Sequence, residues 1–94
     1  MKLVDSHCHI NFPDLAENEQ AVLKNAELNG VGHMLCVSVN LEDFPQVLSF
    51  AERHQHIFAS VGIHPNEPES DFVSVDQLTK LANHERIVAI GETG

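Results

Sequence analysis

At 94 residues the chain has room for one small domain, and its 43% hydrophobic content is that of a folded chain, not a disordered one. Fourteen acidic residues against five basic ones leave a net charge of −9. That balance argues against a long groove gripping nucleic acid by its phosphates, which needs clustered Lys and Arg. It leaves room for a pocket that takes a single phosphate through bound cations, because metal ions invert local electrostatics.

The N-terminus lacks a basic region followed by an apolar one, and no apolar run approaches the ~20 residues that span a bilayer. The expectation is a cytoplasmic protein with no membrane partner. Cys8 and Cys36 both fall within apolar strand-like runs, where free thiols behave as small hydrophobes. A disulfide framework is not expected.

Lys2 to Asp5 reads as a first strand, followed by a polar loop from Ser6 to Asn11. Pro13 and Asp14 turn the chain into a helical stretch from Glu17 to Asn29, with Val22, Ala26 and Leu28 among its apolar positions and Gly30 as its stop. Val31 to Val37 is a second strand. Asn40 is placed to cap the next helix, in which Phe44, Val47, Leu48 and Ala51 follow the i, i+3, i+4, i+7 stripe. Ile57 to Ile63 is a third strand, ended by His64-Pro65, and a turn-rich loop covers Asn66 to Asp71. Ser74 and Gln77 have capping-box spacing at the start of a helix from Val75 to Asn83, and Ile87 to Ile90 is a fourth strand.

Strands that begin about 26 to 30 residues apart, with helices between them, are βα units. Continuous apolar runs suit parallel strands covered on both faces. The fold class is therefore α/β, and two architectures satisfy it: the first half of a (β/α)₈ barrel, or a small doubly wound sheet. In both, ligands gather at the carboxyl ends of the strands. Those ends carry His7 and His9, then Ser38 and Asn40, then His64, then Glu92.

His7 and His9 point the same way from an extended backbone, with Cys8 opposite and suited to core filling. Two imidazoles on one side of a strand end can bind one divalent cation. Asp5 is close enough in sequence to orient a ligating imidazole through its distal N–H. A carboxylate at Glu92, ending an apolar strand between Gly91 and Gly94, is costly unless paired, hydrogen-bonded or metal-bound. His64 is a candidate phosphate donor or outer ligand; Asn11 and Asn66 have weaker claims. A second His-x-His, His54 and His56, lies on the opposite face with His33 and His84, where histidine stabilises a helix C-terminus.

Val4-Asp5-Ser6-His7-Cys8-His9 with Phe12 beyond it, Gly62-Ile63-His64-Pro65, and Ile90-Gly91-Glu92-Thr93-Gly94 together resemble the successive motifs of TatD-type metal-dependent deoxyribonucleases. The resemblance runs in order from end to end of the chain. It implies a TIM-barrel hydrolase of the wider amidohydrolase-like group, holding two divalent cations (Mg, Mn or Zn). His7 and His9 would bind one of them, and Glu92 would bridge both as ligand and catalytic residue. The family's later ligands, two more histidines and an aspartate that is the expected general base, have no counterpart in this chain. A full barrel takes ~250 residues. Residues 1–94 thus read as the N-terminal half of one domain.

The reaction implied is two-metal hydrolysis of DNA phosphodiester bonds, with strand ends as substrate and His64 on a phosphate. An ester or amide hydrolase of the same fold, and a non-enzymatic metal-binding or oligomerising module, are the alternatives. Open parallel edges lead to the further expectation that the 94 residues alone self-associate, retain metal poorly and are inactive.

Overall fold

A computed structural model describes residues 2–68 and 73–93. The expected loop residues Glu69 to Asp71, and Gly94 of the last motif, lie outside these. The order is β1 (Leu3–Cys8), α1 (Pro13–Ala16), α2 (Glu19–Leu28), β2 (Val31–Cys36), α3 (Phe44–Arg53), β3 (Ile57–Val61), α4 (Val75–Ala82) and β4 (Ile87–Ile90). The strands form one sheet in the order β1-β2-β3-β4, every pairing parallel. A doubly wound sheet reverses its strand order at a switch point, whereas a barrel adds each strand beside the last. The sequential order selects the first half of a TIM barrel.

Several boundaries differ from those expected. Strand β1 runs three residues past Asp5, because Cys8 stands opposite Cys36 in the parallel register and its carbonyl accepts from Val37 N–H at 2.9 Å. His7 is therefore inside the strand and not in a loop. The helical stretch after Pro13 is broken into α1 and α2 at Asn18, whose side chain bonds back to the carbonyl of Asp14. Asn40 is not the cap residue of α3. Its Oδ1 accepts from Asp43 N–H at 2.7 Å, closing a turn, and the helix begins at Phe44 with Pro45 in its first turn, where the missing N–H costs nothing. The Ser74 cap forms as expected, accepting from Gln77 N–H at 3.0 Å.

Helices α2, α3 and α4 pack on one face of the sheet. Met34, Cys36, Ile57, Ala59 and Val61 meet Val47 and Phe50 of α3 there, with Leu23 and Leu78 at the margins. Each fully buried aliphatic side chain of this kind contributes about 1.5–3 kcal/mol. The edge strands are barer: Val4 of β1 is 65% exposed and Val88 of β4 58%. Among the described residues, no helix is long and apolar enough to cross a membrane.

Two charged side chains tie the helix layer together. Arg86 donates to the carbonyls of Ala51, His54, Gln55 and Ile57, so a cation sits where the carbonyls at the end of α3 lack helical partners. Glu19, opening α2, accepts from Arg53 at 2.6 Å and pairs with His54 at 2.9 Å. The Arg53 hydrogen bond holds the Glu19 carboxyl below its usual range. A depressed native pKa adds stability that is present above the unfolded value, near 4.5, and is lost as pH falls through the native one. Urea midpoints measured from pH 7 downward should therefore fall less steeply below pH ~4.5 for Glu19→Gln than for the parent.

Candidate metal centre

His7, at the carboxyl end of β1, and His9, just beyond it, meet Glu92, which follows β4. The residues are 85 and 83 positions from Glu92 in sequence (92 − 7 and 92 − 9), yet their ligand atoms all lie within 4.8 Å of one another. His7 Nε2 is 3.7 Å from Glu92 Oε2, and His9 Nε2 is 3.6 Å from the same oxygen. These separations exceed the 2.7–3.2 Å of an N–H···O hydrogen bond. They match the edge of a coordination tetrahedron, which is ~3.4 Å for ligands ~2.1 Å from a shared cation. The two histidine–glutamate separations are thus closer to those of ligands around an ion than to those of hydrogen-bonded partners.

Backbone carbonyls and amides fix which ring nitrogens are available. His9 Nδ1 lies 3.0 Å from the carbonyl oxygen of Val37, which can only accept, so Nδ1 carries the proton and Nε2 offers its lone pair toward Glu92. His9 is also stacked on Phe12, with ring centroids 4.7 Å apart, and meets His7 edge-on at 5.0 Å. His64 is held in the opposite tautomer. Its Nδ1 accepts from Asn66 N–H at 3.0 Å, so in this arrangement Nε2 is an N–H donor, 3.7 Å from Glu92 Oε1. The two oxygens of Glu92 therefore face different chemistry: Oε2 the lone pair of His9, with His7 Nε2 beside it, and Oε1 a proton donor.

Asp5 makes a different contact from the one expected of it. Its Oδ1 accepts from the backbone N–H of His7 at 3.2 Å, and the imidazole of His9 is oriented by Val37 instead. Asn11 is buried and accepts from the Cys36 thiol, while Asn66 contributes its backbone amide to His64. Cys8 packs toward the core, and its hydrogen bond with Cys36, followed by burial, pushes its thiol pKa up. On the site's side of the sheet, a cavity of about 340 Å³ is lined by Ser6, His7, Val37, Ser60, Gly91 and Glu92.

The segment carrying Glu92 is held through its backbone. Gly91 N–H donates to Val61 O and Glu92 N–H to Ser38 O, each at 2.9 Å, and Ser60 Oγ donates to Gly91 O at 2.8 Å. Sequence reading passed over Ser60, although a hydroxyl within the apolar run Ala59-Ser60-Val61 signals a buried partner. Gly62 is required by close approach: a Cβ there would lie 2.5 Å from Gly91 C and 2.6 Å from Glu92 O.

Residues 4–94 match the family described as "TatD related DNase". The chain belongs to the TatD-related DNase family. It is 37% identical over 97 residues to the "Uncharacterized metal-dependent hydrolase YjjV" of Escherichia coli K12, covering 99% of this chain and 37% of that protein. It is 30% identical over 93 residues to the "3'-5' ssDNA/RNA exonuclease TatD" of Salmonella typhimurium LT2, covering 98% of this chain and 36% of the relative. The crystal structure of the Escherichia coli YjjV TatD homolog superposes with a TM-score of 0.83 at 37% identity, over 96% of this chain and 36% of that one. The chain thus spans little more than a third of the length of the relatives it matches.

Because the neighbours of Gly62 are backbone atoms that cannot rotate away, Gly62→Ala should destabilise the fold by roughly 1–3 kcal/mol. It should also weaken divalent-cation binding by displacing Glu92. Thermal denaturation and a zinc titration of the variant check both.

Proposed function

We propose that the protein carrying this chain is a metal-dependent hydrolase that cleaves phosphodiester bonds at the ends of DNA strands, using two divalent cations drawn from Mg, Mn or Zn. The observation that carries the reading is the convergence of His7, His9 and Glu92 at separations suited to a shared cation. The relative named as a 3'-5' ssDNA/RNA exonuclease supports the choice of a nucleic-acid substrate.

In this reading His7 and His9 would hold one cation through Nε2, and the Glu92 carboxylate would be shared with the second. Divalent cations supply Lewis acidity toward a phosphoryl oxygen and make water nucleophilic at neutral pH. His64, fixed as an Nε2–H donor, binds a phosphate oxygen and is not a ligand. Phe12 braces the ring of His9, and Asp5 braces the backbone of His7, so that neither donor has to be ordered when the cation arrives. A chain of net charge −9 repels a polyanion, and cations at this rim reverse the local sign.

Glu92→Gln in the full-length protein should reduce metal-dependent cleavage of single-stranded DNA by at least ~100-fold. Its circular dichroism and melting temperature should stay those of the parent. Undiminished cleavage would remove Glu92 from the mechanism.

The 94 residues alone expose both outer strands, with Leu3 and Val4 on β1 and Val88 and Ile90 on β4 all substantially exposed. We propose that in isolation they pair with further copies along these edges. Sedimentation velocity should show concentration-dependent association. A stable monomer across the micromolar range would refute it.

A further inference from the structure

We infer that Ser60 is a positioning residue for the metal centre: its buried hydroxyl sets the carboxylate of Glu92 by holding the carbonyl of the preceding residue. This rests on the metal-site reading above and extends it to a residue that touches neither cation nor substrate. Ser60 is 1% exposed and Ser38 fully buried. Ser60 Oγ donates its one proton to Gly91 O at 2.8 Å and accepts from Ser38 N–H at 3.1 Å. Ser38 Oγ in turn donates to Ser60 O at 2.7 Å, and Ser38 O accepts from Glu92 N–H at 2.9 Å. The hydrogen bonds form a closed circuit from the segment just past β2 to β3, to the turn after β4, and back.

The circuit lets the side chain of Ser60 reach the metal centre. Gly91 and Glu92 follow the last residue of β4, so the sheet ladder alone does not fix them. Gly62 allows their backbone to approach but supplies no side chain to grip it. Among the described residues, the Ser60 hydroxyl is the side-chain group bonded to that turn. Without it, Gly91 O and Ser38 N–H both lose a buried partner, and the peptide preceding Glu92 is held through its N–H alone. A small rotation there is magnified at Oε1 and Oε2, which lie at the far end of the Glu92 side chain. Ligand placement is sensitive to such outer contacts, whose loss typically lowers metal affinity 10- to 100-fold.

The test measures Zn²⁺ affinity by chelator competition and the visible spectrum of the Co²⁺-loaded protein, on full-length parent, Ser60→Ala, Val47→Ala and Glu92→Gln. Val47 lies in the core on α3, fully buried and outside the circuit, so its truncation lowers stability without touching the site. The expected result is a 10- to 100-fold loss of Zn²⁺ affinity and an altered Co²⁺ spectrum for Ser60→Ala. Val47→Ala should melt earlier yet bind like the parent, and kcat for DNA should fall in Ser60→Ala with little change in KM. Parent-like binding by Ser60→Ala while Glu92→Gln fails to bind overturns the role of Ser60 and leaves the metal site standing. Equal losses in Ser60→Ala and Val47→Ala overturn it too, as a stability effect. Parent-like binding by Glu92→Gln overturns the metal-site reading itself. Should Ser60→Ala not fold, Ser60→Cys, close in shape and a weaker donor, takes its place under the same outcomes.

Discussion

A carboxylate that must meet two imidazoles from the opposite edge of a sheet depends on where its own backbone is held. Glu92 follows β4 and the imidazoles stand at and just past the carboxyl end of β1, with β2 and β3 between them. The span is closed by curvature of the sheet and by a turn seated on its neighbours' strand ends. Gly62 removes the Cβ that would collide with that turn, and Val61, Ser38 and Ser60 supply its hydrogen bonds. Each such bond contributes only about 1 kcal/mol net, but leaving a buried donor or acceptor unmade costs about 1–3 kcal/mol. The penalty for breaking the arrangement is therefore larger than the gain from making it. That asymmetry holds a charged side chain at one address on the rim.

The same economy of backbone contacts assigns the chemistry of the rings. His9 and His64 both aim Nε2 at Glu92, at 3.6 and 3.7 Å, and by distance alone they are equivalent. Their other nitrogens make them opposites. A carbonyl on Nδ1 of His9 leaves Nε2 a lone pair, and an amide N–H on Nδ1 of His64 leaves Nε2 a proton. One ring is ready for a cation and the other for an anion. The rim thus offers a lone pair and a proton donor within the span of a single carboxylate.

Much of this is legible in the amino-acid sequence, because it depends on short-range rules. The alternation of a strand put His7 and His9 on one side, the spacing of apolar runs gave four βα-type strands, and Ser74 announced its cap. What was not legible depends on partners distant in sequence. The extension of β1 through Cys8 requires Cys36 beside it, and α3 begins after Asp43, with Pro45 in its first turn, and not after Asn40. Asp5 could be placed near the imidazoles but not on one, since Val37 had already taken the His9 nitrogen. Strand order, which separates a barrel from a doubly wound sheet, is a property of pairing, and nothing within a single strand encodes it.

The chain also carries a control for the central inference, because the pattern His-x-His occurs in it twice. His54 and His56 lie just before β3 at the amino end of the sheet, within reach of an acid, as His7 and His9 are at the carboxyl end. There the acid is Glu19, and His54 Nε2 lies 2.9 Å from its Oε2, a direct hydrogen bond that leaves no gap for an ion. Arg53 places a guanidinium on the same oxygen at 2.6 Å, so the charge a cation would neutralise is already neutralised. Burial, followed by the proximity of His54 and His33, lowers the pKa of His56. At the other rim the separations are 3.6 and 3.7 Å, and among the described residues no Lys or Arg pairs with Glu92. The motif is identical in both places. The gap, and the lack of a Lys or Arg on Glu92 among the described residues, distinguish the candidate metal centre from a helix-end ion pair.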